Sequence, residues 1–224
     1  IIVLSDEVYE HYTYEDHKHI PMATVKGMKD HVITISSLGK TFGITGWKIG
    51  YICAPKSLSG LIRESRGQFI GSVAAPLQVA GAKMLKLLTE TNYILDLQKS
   101  FSKKRDIVSK SLEEMGIKFY KTQGSFFTIL DISSLSTDND FKFCIELVQQ
   151  HGLALIPMSS FFSDNNENKK LVRLCFAKKD RTLEQALKII RKSIIKRFDL
   201  LPLDGYYGMG PESLYGYNFR DEVL

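Results

Sequence analysis

Lys40 stands in the stretch Ser36-Ser37-Leu38-Gly39-Lys40-Thr41, and two chemistries compete for it. Gly-Lys-Thr is the close of a phosphate-binding loop, in which the lysine holds a nucleotide phosphate. A lysine amine can also act as a nucleophile or a base. The loop reading needs a glycine at position 34, so that backbone N–H groups can curl around the phosphates, and this chain has Thr34. A β-branched residue does not take the glycine-only conformations of such a loop. Nor do the following residues, Phe-Gly-Ile-Thr-Gly, open the helix that motif requires. The nucleotide-loop reading is set aside, and amine chemistry at Lys40 stays open.

Other groups could share a site with it. The apolar run Ile1–Ser5 leads straight into Asp6, with Tyr9 three residues on. Ligand sites of open α/β sheets lie at the carboxyl ends of strands. A second apolar run, His31–Ser36, ends at Ser37 and Lys40. Lys48 follows in the glycine-bracketed Gly46-Trp47-Lys48-Ile49-Gly50, and Arg173 lies inside Leu171-Val172-Arg173-Leu174-Cys175-Phe176. A guanidinium buried in such a strand needs an anion. Each residue also has a plain structural role open to it. Asp6 can cap a strand end, Tyr9 can pack, Lys48 can snorkel from an edge, and Arg173 can pair with a structural carboxylate. Their joint pattern, not any single residue, carries a functional reading.

The elements that must position them read as α/β. Strands are expected at 1–5, 31–36, 47–54, 117–122, 125–133, 153–156 and 171–176. The first looks like a buried central strand. Ser57 is the expected N-cap of a helix running to about residue 69. Apolar residues at helical spacing from Val79 to Leu112 predict a long helical region between Pro76 and Gly116, and helices are expected at 138–150 and 183–197. Alternation of strands and helices defines the class, with a first layer giving way to a smaller α+β domain near residues 90–115. Ser163–Lys170 reads as a solvated loop.

Composition bounds the partners. With 44% hydrophobic and 25% charged residues, the 224-residue chain is an ordinary globular mixture. A net charge of +5 spread over the helices is a solvated surface and no nucleic-acid footprint. No apolar run reaches membrane-spanning length. Cys53, Cys144 and Cys175, odd in number and each in an apolar run, read as buried reduced thiols of an intracellular protein. The five histidines show no metal-ligand spacing. The apolar β-branched opening, with no initiator Met, leads us to expect the later part of a longer protein.

Four stretches together resemble the fold-type I pyridoxal-phosphate aminotransferases of class I/II: SDEVYEH (5–11), SSLGKTFGITGWKIGY (36–51), the QGSFF turn (123–127) and LVRLCFA (171–177). The second is the most specific. Its lysine after the Trp is similar to the kynurenine/glutamine/methionine transaminase branch. The resemblance covers about residues 1–197, the C-terminal half or so of such a protein. It implies a PLP-dependent transferase-like α/β fold: residues 1–90 as part of a large, mainly parallel cofactor-binding domain, 91–199 as a small α+β domain, and 200–224 as an atypical tail.

It further implies that Lys40 forms the Schiff base with pyridoxal 5'-phosphate and then moves the substrate Cα proton. Asp6 faces the pyridine nitrogen, Tyr9 the ring's 3-oxygen, and Ser37 and Lys48 the phosphate. Arg173 holds the substrate α-carboxylate. Substrates are then an amino acid and a 2-oxo acid. The full-length protein is a homodimer sharing its site across subunits, cytoplasmic or mitochondrial. Upstream parts of the family's site, a small-residue phosphate loop, a stacking aromatic and an Asn, are not in this chain. A cysteine-conjugate β-lyase on the same scaffold, and a catalytically inactive truncated fragment, stay open beside transamination.

Overall fold

In a computed structural model of the chain, residues 1–163 and 170–198 are described. The Gly- and Tyr-rich tail 200–224 and most of the expected loop 163–170 lie outside the described residues. The chain is α/β and divides into two compact units. The first comprises Ile1–Lys99 with Gln123–Ser125, the second Ser100–Thr122 with Phe126 onward.

In the first unit, strands β1 (Val3–Asp6), β2 (Val32–Ser37) and β3 (Gly50–Cys53) form a sheet in that order. β1 and β2 are parallel, with Asp6 opposite Ile35; β2 and β3 are antiparallel, with Ser37 opposite Gly50. The expected buried central strand is thus an edge strand among the described residues, and Leu4 is exposed. The reason is neighbourhood: an apolar run becomes interior only when both its edges and both its faces are covered. β3 is exposed along its whole length, and Cys53 with it, which corrects the expectation of a buried thiol there.

Three helices of the unit follow from local chemistry. A single turn, α1 (Leu38–Thr41), is capped by Ser37. α2 (Lys56–Phe69) starts after Pro55 with no side-chain cap, so Ser57 lies inside it and not at its N-cap. α3 (Ala75–Glu90) carries Pro76 in its first turn. The predicted single helical region breaks after α3: Thr91 takes an extended conformation, its hydroxyl donates to the Leu87 carbonyl, and α4 (Tyr93–Glu114) starts afresh. α3 leans on the rest of the unit at Gly81. A Cβ there would lie 2.9 Å from both the Ile49 and Leu38 side chains.

The second unit has a four-stranded antiparallel sheet, ordered β4 (Phe119–Tyr120), β5 (Phe127–Asp131), β7 (Leu171–Cys175), β6 (Ile156–Pro157). Alternation is regular. Thr128, Leu130, Val172 and Leu174 are buried on one face, while Phe127, Ile129, Arg173 and Cys175 lie half-buried on the other. The remainder of α4, together with α5 (Asp140–His151) and α6 (Asp180–Phe198), supplies the rest of the core: Val108, Leu112, Phe143, Leu147, Leu183, Leu187 and Ile190. Asn139 caps α5 through the Lys142 N–H, and Gly152 closes it in the left-handed conformation. Cys144 is buried here. Burial, then the Asp140 carboxylate, push its thiol up to about 12, which leaves it a packing group.

Candidate active site

Because β1 and β2 run parallel, their carboxyl ends open at one edge of the sheet. Asp6 closes β1 there, exposed, with Oδ1 accepting the Val8 N–H at 3.3 Å. The chain then turns through Glu7–Tyr12, closed by Glu10 N–H to the Glu7 carbonyl and Tyr12 N–H to the Tyr9 carbonyl. This turn brings Tyr9 back toward the end of β2. Its ring meets that of Tyr12 edge-on at 6.3 Å, and the Lys40 Nζ lies 5.9 Å from its centroid.

β2 stops at Ser37 for a local reason. The Ser37 Oγ accepts the Gly39 N–H at 3.0 Å and donates to the Ile49 carbonyl at 3.2 Å, so one hydroxyl starts α1 and ties it to the strand coming back. Close approach is enforced beside it. A Cβ at Gly50 would lie 2.5 Å from the Ser36 carbonyl oxygen, and only glycine fits. Lys48, one residue before Ile49, is exposed and left-handed, with φ 51 and ψ 43. A lysine held in that region is uncommon and projects from a tightly determined turn.

α1 has only one turn, so few backbone N–H groups reach its carbonyls: Phe42 N–H donates to the Leu38 carbonyl at 3.0 Å and Gly43 N–H to the Lys40 carbonyl at 3.3 Å. Two phenols add to these: Tyr12 Oη donates to the Lys40 carbonyl at 2.6 Å, and Tyr93 Oη to the Thr41 carbonyl at 2.9 Å. Burial raises both phenols above their ordinary value, and the Tyr93 and Tyr9 rings add to the effect at Tyr12, so both stay protonated donors at neutral pH. Tyr12 is itself held. Its carbonyl accepts the Ser125 N–H at 2.8 Å, and Tyr14 Oη donates to the Ser125 carbonyl at 2.7 Å. The QGS half of the 123–127 turn is thus stitched to the segment that braces Lys40. Sequence reasoning missed Tyr12, Tyr14 and Tyr93. The signal lay in Tyr12 and Tyr14 at alternate positions, since a buried phenol must find an acceptor.

Carboxylates brace the same edge from behind. Glu10 accepts the Ser36 hydroxyl at 2.8 Å and the Tyr51 hydroxyl at 3.1 Å. Glu7, 5% exposed, accepts from His19 at 2.8 Å, Ser5 at 2.9 Å and the Met22 N–H at 3.0 Å.

The first unit therefore holds Asp6, Tyr9, Ser37, Lys40 and Lys48, on one strand edge and the turns that leave it. Arg173 belongs to the second unit. It sits mid-β7, opposite Ile129 and Ile156. It is half-buried, and among the described residues its guanidinium makes no hydrogen bond or ion pair. The carboxylate partner expected for a buried arginine is replaced by two phenyl rings, Phe127 at 4.2 Å and Phe161 at 4.9 Å from the guanidinium carbon.

The chain is thus α/β, with a lysine just past the carboxyl edge of a parallel strand pair and its own carbonyl held by a buried phenol. The chain belongs to the aminotransferase class I and II family, whose model matches residues 1–190. It is 39% identical over 192 residues to a methionine aminotransferase of Escherichia coli, covering 86% of this chain and 49% of that protein. It is 37% identical to kynurenine–oxoglutarate transaminase 3 of Rattus norvegicus, covering 85% of this chain and 45% of that one. The solved structure of N-succinyldiaminopimelate aminotransferase from Mycobacterium tuberculosis superposes with a TM-score of 0.80 at 36% identity, over 86% of this chain and 50% of that one. The chain spans about half the length of the curated relatives it matches.

Proposed function

We propose that this chain carries the lysine-bearing part of a pyridoxal 5'-phosphate-dependent aminotransferase. It moves an amino group between an amino acid and a 2-oxo acid, within the kynurenine/glutamine/methionine group. The observation that carries the reading is the gathering of Asp6, Tyr9, Ser37 and Lys40 at one carboxyl strand edge, in a chain of this family. That donor set fits the cofactor: an acid for a pyridinium nitrogen, a phenol for a ring oxygen, a hydroxyl and an ammonium for a phosphate, and an amine for an aldehyde.

When bound, the cofactor supplies an electron sink for the substrate Cα. The roles of this chain's residues follow from their types. Lys40, as the free amine, takes the proton from the substrate Cα. Asp6 keeps the pyridine nitrogen protonated by facing it with negative charge. Tyr9 donates to the ring's 3-oxygen. Ser37 and Lys48 hold the phosphate, Lys48 as a point charge. Arg173 orients the substrate through its α-carboxylate, fixing which Cα bond breaks. Residues 1–90 act as part of the cofactor-binding domain and 91–199 as the smaller domain. The complete protein is a homodimer. Support for that comes from the exposed apolar side chains of α2 and α3.

The test is chemical. Complete protein with pyridoxal phosphate should absorb visible light, exchange amino groups between a panel of amino acids and 2-oxo acids, and carry the cofactor on Lys40 after borohydride reduction. Label on a different lysine ends this reading. The 224-residue chain alone is expected to be inactive in the same assay.

A further inference from the structure

The proposed carboxylate site leaves open what holds Arg173 in place when no anion is beside it. Its guanidinium lies against the Phe127 and Phe161 rings, 4.2 and 4.9 Å from their centroids. Ring faces attract the cation without using its N–H groups, which lie in the guanidinium plane and stay available to a carboxylate. The two rings are supported differently. Phe127 sits in β5 and pairs with Cys175 of β7, so the sheet fixes it. Phe161 ends a 3-10 turn, Met158–Phe161, and is 55% exposed.

One buried group anchors that turn. Asp140, 1% exposed, is the first residue of α5. Its Oδ2 accepts the Ser159 N–H at 2.7 Å, and its Oδ1 accepts the Phe141 N–H at 2.9 Å. A carboxylate in the first turn of a helix is favoured there by the helix dipole, so the anchor is a fixed one. Breaking a buried charged hydrogen bond also leaves an unsatisfied group, so the turn follows Asp140 closely. The line runs from α5 through Asp140 and Ser159 to Phe161 and Arg173, all within the second unit.

We propose that Asp140 is a positioning residue for the carboxylate site: through the Ser159 N–H it holds the 158–161 turn so that Phe161 stays on the Arg173 guanidinium. The inference rests on the reading of Arg173 as the substrate-carboxylate group.

The test uses complete protein loaded with pyridoxal phosphate, in four single variants, Asp140→Ala, Phe161→Leu, Phe161→Tyr and Arg173→Lys, and one double variant, Asp140→Ala/Phe161→Leu. The probe is 4-methylpentanoate, an amino-acid skeleton with no amino group to exchange, measured as an inhibitor beside KM and kcat. Asp140→Ala and Phe161→Leu should each raise KM and the inhibition constant about five- to tenfold. Cofactor retention should be unchanged and kcat should stay within about twofold. Phe161→Tyr keeps the ring face and should bind as the native protein does. The double variant Asp140→Ala/Phe161→Leu should be no worse than Phe161→Leu, because both act through one ring. The Arg173 Nε–H resonance should lose the part of its ring-current shift that Phe161 contributes in Asp140→Ala and Phe161→Leu alike, and keep the Phe127 part. Phe161 is half exposed, so Phe161→Leu keeps the test alive if Asp140→Ala fails to fold. Native inhibitor binding in Phe161→Leu overturns the proposal, as does a parallel loss of kcat and cofactor. If Arg173→Lys loses the inhibitor while Phe161→Leu keeps it, the proposal falls and the carboxylate reading of Arg173 stands. If Arg173→Lys also binds normally, the carboxylate reading of Arg173 falls with it.

Discussion

The two units solve opposite problems. Among the described residues, five buried apolar side chains belong to the first unit and sixteen to the second. Large exposed apolar side chains run the other way, with Leu4, Leu61, Phe69, Ile70 and Val79 among those of the first unit. The first unit is held less by apolar filling than by directed bonds: Ser37 to Gly39 and Ile49, Tyr12 and Tyr93 to the α1 carbonyls, Glu7 and Glu10 to their donors. The second has a packed core and, on the half-buried face of its sheet, Arg173, whose guanidinium makes no hydrogen bond or ion pair among the described residues. Directed bonds place polar groups to within tenths of an ångström, which chemistry needs. A packed core gives cooperative stability, which the proposed carboxylate site would need.

The comparison breaks most visibly at the two cations. On the proposed function, Lys40→Ala should keep the cofactor bound yet cut turnover about a hundred- to ten-thousandfold, because the proposed proton carrier is gone. Arg173→Ala should instead raise KM for amino acid and 2-oxo acid about ten- to hundredfold with the cofactor retained, the scale of one charge-assisted pair. Steady-state kinetics with cofactor-loading spectra separate the two. Equal cofactor loss in both variants would show that Arg173 has the wrong role.

Stability sharpens the same contrast. Phe176, at 0% exposure in the second unit, should cost about 3–5 kcal/mol as Phe176→Ala. Residues 100–198 expressed alone should melt cooperatively, while residues 1–99 should not, for lack of a core. Calorimetry on the two pieces decides it. A cooperative transition in 1–99 would mean that directed bonds suffice there.

What was legible in the sequence follows this division. That Asp6, Ser37 and Lys40 stand at or just past strand ends could be read from the apolar runs that precede them. The strands themselves were read as more buried than they are, since an apolar run such as Ile1–Ser5 does not declare how many neighbours it has. Which carbonyls the phenols brace was invisible: Tyr12 and Lys40 are 28 positions apart, Tyr93 and Thr41 52. Local pattern carries no information on such pairs. The same holds for Asp140 and Ser159. The helix break at Thr91 was hidden by apolar spacing that continues on both sides of it.

A smaller effect tests the bracing directly. Tyr12→Phe keeps the buried ring and removes only the bond to the Lys40 carbonyl. It should cost about 1 kcal/mol of stability, with a modest fall in kcat from a less fixed Lys40. Thermal melts and kcat on the same preparation check it. A stability loss with no change in kcat would assign Tyr12 to the fold alone.

The smallest effect concerns the carboxylate behind the edge. Burial by itself raises the Glu7 carboxyl, but the hydrogen bonds from His19, the Met22 N–H and Ser5 outweigh it and leave Glu7 below its ordinary value of 4.5. A folded value lower than the unfolded one means that the folded state favours the ionised form. The stabilisation is therefore complete above 4.5 and is lost as the pH falls through the lowered folded value. Glu7→Gln cannot ionise, so it should be less stable than the native protein at neutral pH, and the gap should close as the solution is acidified below 4.5. Melting temperatures of the two proteins across that range give the test. A gap that stays constant would show that Glu7 acts through its shape and its neutral hydrogen bonds, and that its charge contributes nothing to holding the strand edge.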